Sequence, residues 1–307
     1  MNVLNLTNIE RPFYRQQISS LQDRGVKTET LTVPGAHTPN EPRRITDYLR
    51  FVPDVLRTVD EQFDLVHANN GLTAPMALAQ RRLPVVLTLW GTDVYGPYGW
   101  VSRSCARFCD EVVVMSERMH RDVGQECTVI PHGVDLDRFR PIERERARAE
   151  VGWDHESHHV LFPYETERPE KDYPRARRVV DEAARRLDEP VDLDVVTGVP
   201  HEKFVQYLNA ADSLLMTSKY EGSPNVVKEA LACRLPVVST DVGDVRDRLT
   251  DVDPSFVATD DPGLVDALVE VLERGDRSNG RETVQAISLD RTAERLLEVY
   301  ERALADH

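Results

Sequence analysis

The sequence lacks the marks of several protein classes. No run of about 20 apolar residues interrupts it, so no membrane-spanning helix is expected. The opening MNVLNLTNIERPFYRQQ has no basic stretch followed by a long apolar core; it reads as a first strand, and the chain is expected to stay in the cytoplasm. A basic excess is missing too. A formal net charge of -15 and a pI near 5.1 argue against nucleic acid as a partner, because phosphate backbones reward basic surfaces. Lysine is scarce among the basic residues, and an acidic, lysine-poor surface is halophile-like: its carboxylates hold water at high ionic strength. The four cysteines, Cys105, Cys109, Cys127 and Cys233, have neither the paired spacing nor the histidine neighbours of a zinc site. Cys105 and Cys109 share a helix face and read as packed thiols.

What is present is an alternation of short apolar runs and amphipathic stretches, the pattern of parallel strands joined by crossover helices. At 307 residues, two domains of about 150 each are expected. The alternation runs from VLNLTN to IPHGVD, is interrupted by the charged stretch ERERARAEVGWDHESHH, and resumes at VLFPYET. The expected division is an α/β domain over 1–141, a linker over 142–158 and a second α/β domain over 159–307, whose last helix is free to pack back on the first domain. In open parallel sheets ligands bind beyond the carboxyl ends of the strands, which points to a site in the cleft between the two halves.

The most informative segment is LLMTSKYEGSPNVVKEALACRLPVVSTDVGD, residues 214–244. A buried strand ends at Ser218, and Ser223 and Pro224 have the chemistry of a helix cap and first position. Glu221 precedes that helix and Glu229 lies within it, about a turn and a half on, so two carboxylates can face one elongated polar ligand. Free amides at the helix start suit a diphosphate between them. The plainer reading is of two acids near a helix start, where carboxylates favour the dipole.

Glu221 and Glu229, followed by EALAC, PVVST and DVGD, resemble the donor-site signature of family-4 retaining glycosyltransferases of the GT-B fold, in which two Rossmann-like domains face each other across a cleft. The resemblance implies that Glu221 meets the hydroxyls of the transferred sugar and Glu229 the ribose, with Gly222, Ser223, Pro224, Asn225 and Val226 as the donor-binding turn. It also implies an Arg and a Lys after the first strand of the second domain, neutralising the diphosphate as it leaves. In LFPYETERPEKDYPRARR these are Arg168 and Lys171, which with Glu221 make up the implied catalytic set. IPHGVDLDRFRP, residues 130–141, resembles the family's entry into the linker, with Gly133 allowing an unusual backbone shape and Asp135 and Phe139 in structural roles.

The first half departs from the family. A Gly-rich loop after the first strand is replaced by LTNIERPFYRQQ, and Trp90 stands where many members have a histidine. Arg15, Asn69, Gly91 and Asp93 are the candidates to line the acceptor side; His67 and His132 read as packed histidines. The implied reaction moves a sugar from a UDP- or GDP-sugar to an acceptor hydroxyl with retention, in surface glycan, polysaccharide or N-glycan assembly. It implies a glycan or lipid-linked acceptor, peripheral association with the inner face of the cell membrane, and neither a cofactor nor a metal ion. The alternatives are a nucleotide-sugar epimerase of the same architecture and a non-catalytic nucleotide-sugar binder.

Overall fold

The computed structural model describes residues 1–35 and 43–307. It divides into unit 1, Met1–Gly133 with Leu289–His307, and unit 2, Val134–Ser288.

Unit 1 begins β1 (Asn2–Thr7), α1 (Pro12–Gln22), β2 (Lys27–Thr32), α2 (Ile45–Thr58), β3 (Leu65–Ala68), α3 (Ala74–Ala79) and β4 (Val85–Leu89). It continues with α4 (Gly91–Tyr95), α5 (Gly99–Ala106), β5 (Glu111–Val114), α6 (Glu117–Val123) and β6 (Thr128–Val129). The six strands form one parallel sheet in the order β2-β1-β3-β4-β5-β6. Central strands such as VVLTL of β4 are buried along their whole length, as a sheet covered on both faces requires. The edge strand β2, KTETLT, is exposed or half-buried throughout and polar enough to discourage pairing with another chain. Right-handed crossovers put α2, α3 and α4–α5 on one face, because their connections all step in the same direction along the sheet, and α1 on the other. Contacts agree: α2 packs on α3, α3 on α5, and α1 on the C-terminal helix.

Unit 2 contains α7 (Arg144–Val151), β7 (His158–Phe162), α8 (Tyr173–Leu187), β8 (Val191–Val195), α9 (His201–Ala210), β9 (Ser213–Met216) and α10 (Asn225–Ala232). There follow β10 (Val237–Thr240), α11 (Val245–Leu249), β11 (Phe256–Ala258), α12 (Asp261–Arg274) and α13 (Gly280–Thr283). Its parallel sheet runs β11-β10-β9-β7-β8. β7 leads outward to β8, whereas β9 leads the other way to β10, so the strand order reverses between β7 and β9.

The division differs from the expected one in one place. The segment 142–158 is not a linker but part of unit 2: α7 packs on α9, and Arg144 and Arg148 clamp the buried Asp212 at 2.7 and 2.6 Å. The C-terminal helix Leu289–Ala305 belongs to unit 1, where it buries Leu296, Val299 and Tyr300 in the core. Each such side chain contributes roughly 1.5–3 kcal/mol of burial. Gly133 is required by that helix rather than by its own dihedrals: an added Cβ would overlap Thr292 Oγ1 and sit 2.9 Å from Leu289 Cα, whereas its φ is not positive. Among the described residues, no helix is long and apolar enough to cross a membrane.

Candidate functional site

Two loops at the reversal in unit 2 are tied together by hydrogen bonds. Thr217, just after β9, donates through Oγ1 to the carbonyls of Lys171 and Asp172 at 2.9 and 3.1 Å. The Lys219 amide donates to Glu170 O at 2.8 Å, and its ammonium to Pro169 O at 2.9 Å. This lashing carries Lys171, from the loop after β7, to the end of β9, where it is 5% exposed. The turn at 221–223 rests in turn on residues 242–244. Gly243 has φ +58°, and a Cβ there would stand 2.5 Å from Gly222 O, so the DVGD sequence supplies a glycine for both conformation and close approach.

Ser223 does not cap α10. Its hydroxyl donates instead to Asp244 Oδ2 at 2.8 Å, an oxygen also held by Arg248 Nε at 2.9 Å. Pro224 occupies the cap position, no side chain caps the helix, and the helix starts at Asn225. The amides of its first turn are thereby left to the solvent or a ligand.

These elements surround a cavity of about 280 Å³. Its polar wall is Lys171, Glu221, Asn225 and Glu229; its apolar wall is Pro163, Tyr164, Phe204, Pro224 and Val226. The Lys171 ammonium donates to Glu221 Oε1 and lies 3.9 Å from the centre of the Tyr164 ring. Ser218 Oγ donates to the same Glu221 oxygen at 2.8 Å. Burial pulls the Lys171 ammonium below its ordinary range, and the Glu221 carboxylate opposes that shift. Glu229 is pushed up to about 7 by desolvation, against the pull of Lys228 and Arg138. Beneath the helix start, the buried Lys228 donates to Asn225 Oδ1 at 3.2 Å.

Of the donor-side candidates, Lys171, Glu221, Pro224, Asn225, Val226 and Glu229 line one cavity, and Gly222 and Ser223 form the turn beneath it. Arg168 does not line it: its exposed guanidinium is bonded to Glu170 Oε1 at 2.8 and 2.5 Å. Tyr164 and Phe204 are wall residues that the sequence reading did not single out. An aromatic directly after the FP strand end could have marked Tyr164. Asp135 and Phe139 are structural, the first accepting the amides of Asp137 and Arg138 at 3.2 and 3.0 Å, the second 2% exposed.

The unit 1 candidates are bonded among themselves. Asp93 accepts from the Trp90 amide at 2.9 Å and from Asn70 Nδ2 at 2.7 Å, and burial pushes its carboxyl up to about 6. Asn69 donates to Asn5 Oδ1 at 2.9 Å, and its carbonyl accepts the Trp90 indole N–H at 2.7 Å. Gly91 opens α4 behind Trp90. Trp90 packs on Phe13 and His132, with ring centres 4.9 and 6.1 Å away, beside a cavity of about 20 Å³, room for about one water. His67 is enclosed, bonded at 2.7 Å to both Tyr300 Oη and Thr88 Oγ1, and burial lowers it to about 3, which keeps the ring neutral. Arg15 is exposed and pairs with Glu10 at 3.3 Å. Among the described residues, Asp154, His159 and Asp192 bring metal-capable atoms within 4.8 Å of one another, but His159 Nδ1 is already engaged by Asp194 at 2.9 Å.

Known proteins resemble both units of the chain. Residues 12–138 match the family model of glycosyltransferase family 4, and residues 172–274 that of glycosyl transferases group 1. A Bacillus subtilis protein named for teichuronic acid biosynthesis, the glycosyltransferase TuaC, is 28% identical over 77% of this chain and 64% of its own length. A D-inositol 3-phosphate glycosyltransferase of Mycobacteroides abscessus is 32% identical over 58% of this chain and 47% of its own. The chain thus spans between about half and two thirds of the length of these two relatives. Among solved structures, a sucrose-phosphate synthase from Thermosynechococcus elongatus is similar in fold, with TM-score 0.78, 19% identity and full coverage of both chains. Anabaena HepE in complex with UDP and glucose gives 0.70 and 16%, covering 97% of this chain and 98% of its own. Both units are thus similar in sequence to glycosyltransferase families, family 4 over 12–138 and group 1 over 172–274, and the whole chain has the GT-B fold of two parallel-sheet, Rossmann-like units.

Proposed function

We propose that the protein transfers a sugar from a nucleotide-diphosphate sugar to an acceptor hydroxyl, with retention of the anomeric configuration. The observation that carries this is the cavity at the strand-order reversal of unit 2, where one ammonium, two carboxylates and an uncapped helix start converge. An anionic diphosphate fits between Lys171 and the first amides of α10, which hold negative charge as it develops on the leaving group. Glu229 accepts from the ribose hydroxyls and Glu221 from those of the sugar.

The pairing of Lys171 with Glu221 gives the site a sequence of events. Without donor, each charge neutralises the other. When the diphosphate arrives, the ammonium turns to it, and Glu221 is released to accept hydrogen bonds from the sugar's hydroxyls. The leaving phosphate then takes the proton of the incoming acceptor; with Lys171 and the helix amides holding the leaving charge, the reaction calls on no metal ion or other cofactor, and chelator should leave the rate unchanged. HepE, a structural neighbour, has been solved with UDP and with UDP-glucose, which supports a uridine donor here. The relatives named for glycan and inositol phosphate chemistry support a glycan or lipid-linked acceptor.

A thermal-shift panel of UDP, GDP, ADP and their sugars should single out one donor, with UDP compounds raising Tm most. Incubation with that donor alone should give slow hydrolysis or no change; a new nucleotide sugar would mean an epimerase instead. Donor that binds but is never transferred to any glycan or lipid-linked acceptor would reduce the protein to a binder.

A further inference from the structure

The segment WDHESHH, residues 153–159, leads from α7 into β7 and brings three histidines together with two acids. The donor cavity uses none of them. His159 lies at the start of β7, whereas the cavity residue Pro163 follows its end, about 13 Å further along the strand at roughly 3.3 Å per residue.

In the parallel ladder His159 stands opposite Asp192 of β8, and Asp194 is two places on, so all three side chains project from one face of the sheet. The His159 ring is 3% exposed and is fixed in two ways. Trp153 stacks on it, with ring centres 4.5 Å and planes 9° apart, and its Nδ1 is bonded to Asp194 Oδ2 at 2.9 Å. With the Nδ1 proton donated to that carboxylate, Nε2 keeps a lone pair, the arrangement by which a carboxylate orients a metal-binding imidazole. Nε2 faces Asp154, 3.3 Å from its carbonyl oxygen and 4.0 Å from Oδ1. The amides of Glu156 and Ser157 donate to that Oδ1 at 2.9 and 2.8 Å and hold the carboxylate in place. Asp154, His159 and Asp192 thereby bring one ligand atom each within 4.8 Å of one another.

Charge points the same way. Three carboxylates, of Asp154, Asp192 and Asp194, gather at one imidazole, and a proton on the ring would neutralise only one of them. The buried Arg148 guanidinium is committed to Asp212 at 2.6 Å and to Ala210 O at 3.1 Å. A divalent ion supplies the missing charge, and the exposed Asp154 and Asp192 have the freedom to close on it at bonds of about 2.0–2.2 Å. An imidazole beside carboxylates suits zinc and its neighbours, whereas calcium and magnesium take oxygen ligands.

We infer that Asp154, His159 and Asp192 hold a divalent transition-metal ion of the zinc type, with Asp194 orienting the imidazole and water completing the shell. The ion clips the loop between α7 and β7 to β8, and so steadies the corner of unit 2 where Arg144 and Arg148 grip Asp212. It is a structural ion, and sugar transfer at the other end of the strand proceeds without it.

The test uses the full chain, stripped with EDTA and dialysed, titrated with zinc chloride by calorimetry and with cobalt chloride by visible absorption. One equivalent of zinc should bind, cobalt should give the absorption bands of a protein-bound ion, and Tm should rise with zinc concentration. Asp194→Asn, which alters only the support, should weaken zinc binding roughly 10–100-fold, and loss of a ligand in Asp192→Asn should cost at least as much. Asp154→Asn with Asp192→Asn, both at exposed positions, should abolish it while circular dichroism stays unchanged. UDP binding measured in EDTA should be the same in all variants, so failure here is separable from failure of the donor assignment. Absence of zinc and cobalt binding would overturn the inference and leave His159 as a charged partner of the acids. Binding of several equivalents that Asp192→Asn does not weaken would also overturn it, as diffuse attraction to an acidic surface.

Discussion

Both sheets reverse their strand order, between β1 and β3 in unit 1 and between β7 and β9 in unit 2, and each reversal offers a crevice beyond the strand ends. Unit 1 ties its crevice shut with its own side chains. Asn8, after β1, donates to Asn70, after β3, at 2.7 Å; Asn70 donates to Asp93; and Asp93 holds the Trp90 amide. Unit 2 leaves about 280 Å³ open at the equivalent place, where Lys171 and Glu221 are bonded to one another and, respectively, face the Tyr164 ring and accept from Ser218. Polar groups that have spent their hydrogen bonds internally build structure, whereas charged groups facing a void are available for a ligand.

The strongest test of this contrast pairs one residue from each crevice. Lys171→Ala should weaken UDP binding about 100-fold by calorimetry, the loss of a charge-assisted contact worth roughly 2–3 kcal/mol, with circular dichroism unchanged. Asp93→Ala should do the reverse, costing about 1–3 kcal/mol of stability in a denaturant titration and leaving UDP affinity alone. If UDP affinity instead followed Asp93, the comparison would be inverted. Next in size, Gly243→Ala should cost about 1–3 kcal/mol, through its positive φ and the clash with Gly222 O, and should weaken UDP binding by displacing the 221–223 turn.

A pH series sharpens the comparison within unit 2. Glu229 sits at about 7 in the folded protein against an ordinary 4.5, so between those values the folded state holds a proton that the unfolded chain has lost. Its contribution to stability is fully present below about 4.5 and is lost as pH rises through about 7. Glu229→Gln should flatten that stretch of the stability profile. Because ribose hydroxyls donate to the ionised carboxylate, UDP affinity should rise with pH through about 7 and lose that dependence in Glu229→Gln. The smallest effect is expected from Arg168→Ala: an exposed side chain already paired with Glu170 should change UDP affinity less than about threefold.

The sequence revealed what is local. The alternating runs predicted both sheets, and the spacing of Glu221 and Glu229 around a helix start, together with the Lys171 that the family resemblance implied after the first strand of the second domain, anticipated residues that share the cavity. What escaped it depends on distant partners. Ser223 has the chemistry of a cap, but Asp244, 21 positions on, takes its hydroxyl. Arg168 fits the pattern of a phosphate ligand until Glu170 is seen to hold it. The charged stretch before His158 reads as a linker because its worth lies in the buried Asp212, which two of its arginines neutralise.

The amide of Val134 donates to Ile287 O at 3.0 Å, so the segment that enters unit 2 and the segment that leaves it run side by side. Unit 2 is therefore one uninterrupted stretch whose ends meet, inserted into a unit 1 made of two pieces. Such a stretch can be exchanged as a cassette at two neighbouring junctions, and grafting residues 134–288 from a relative would replace unit 2 while leaving both pieces of unit 1 in their original chain.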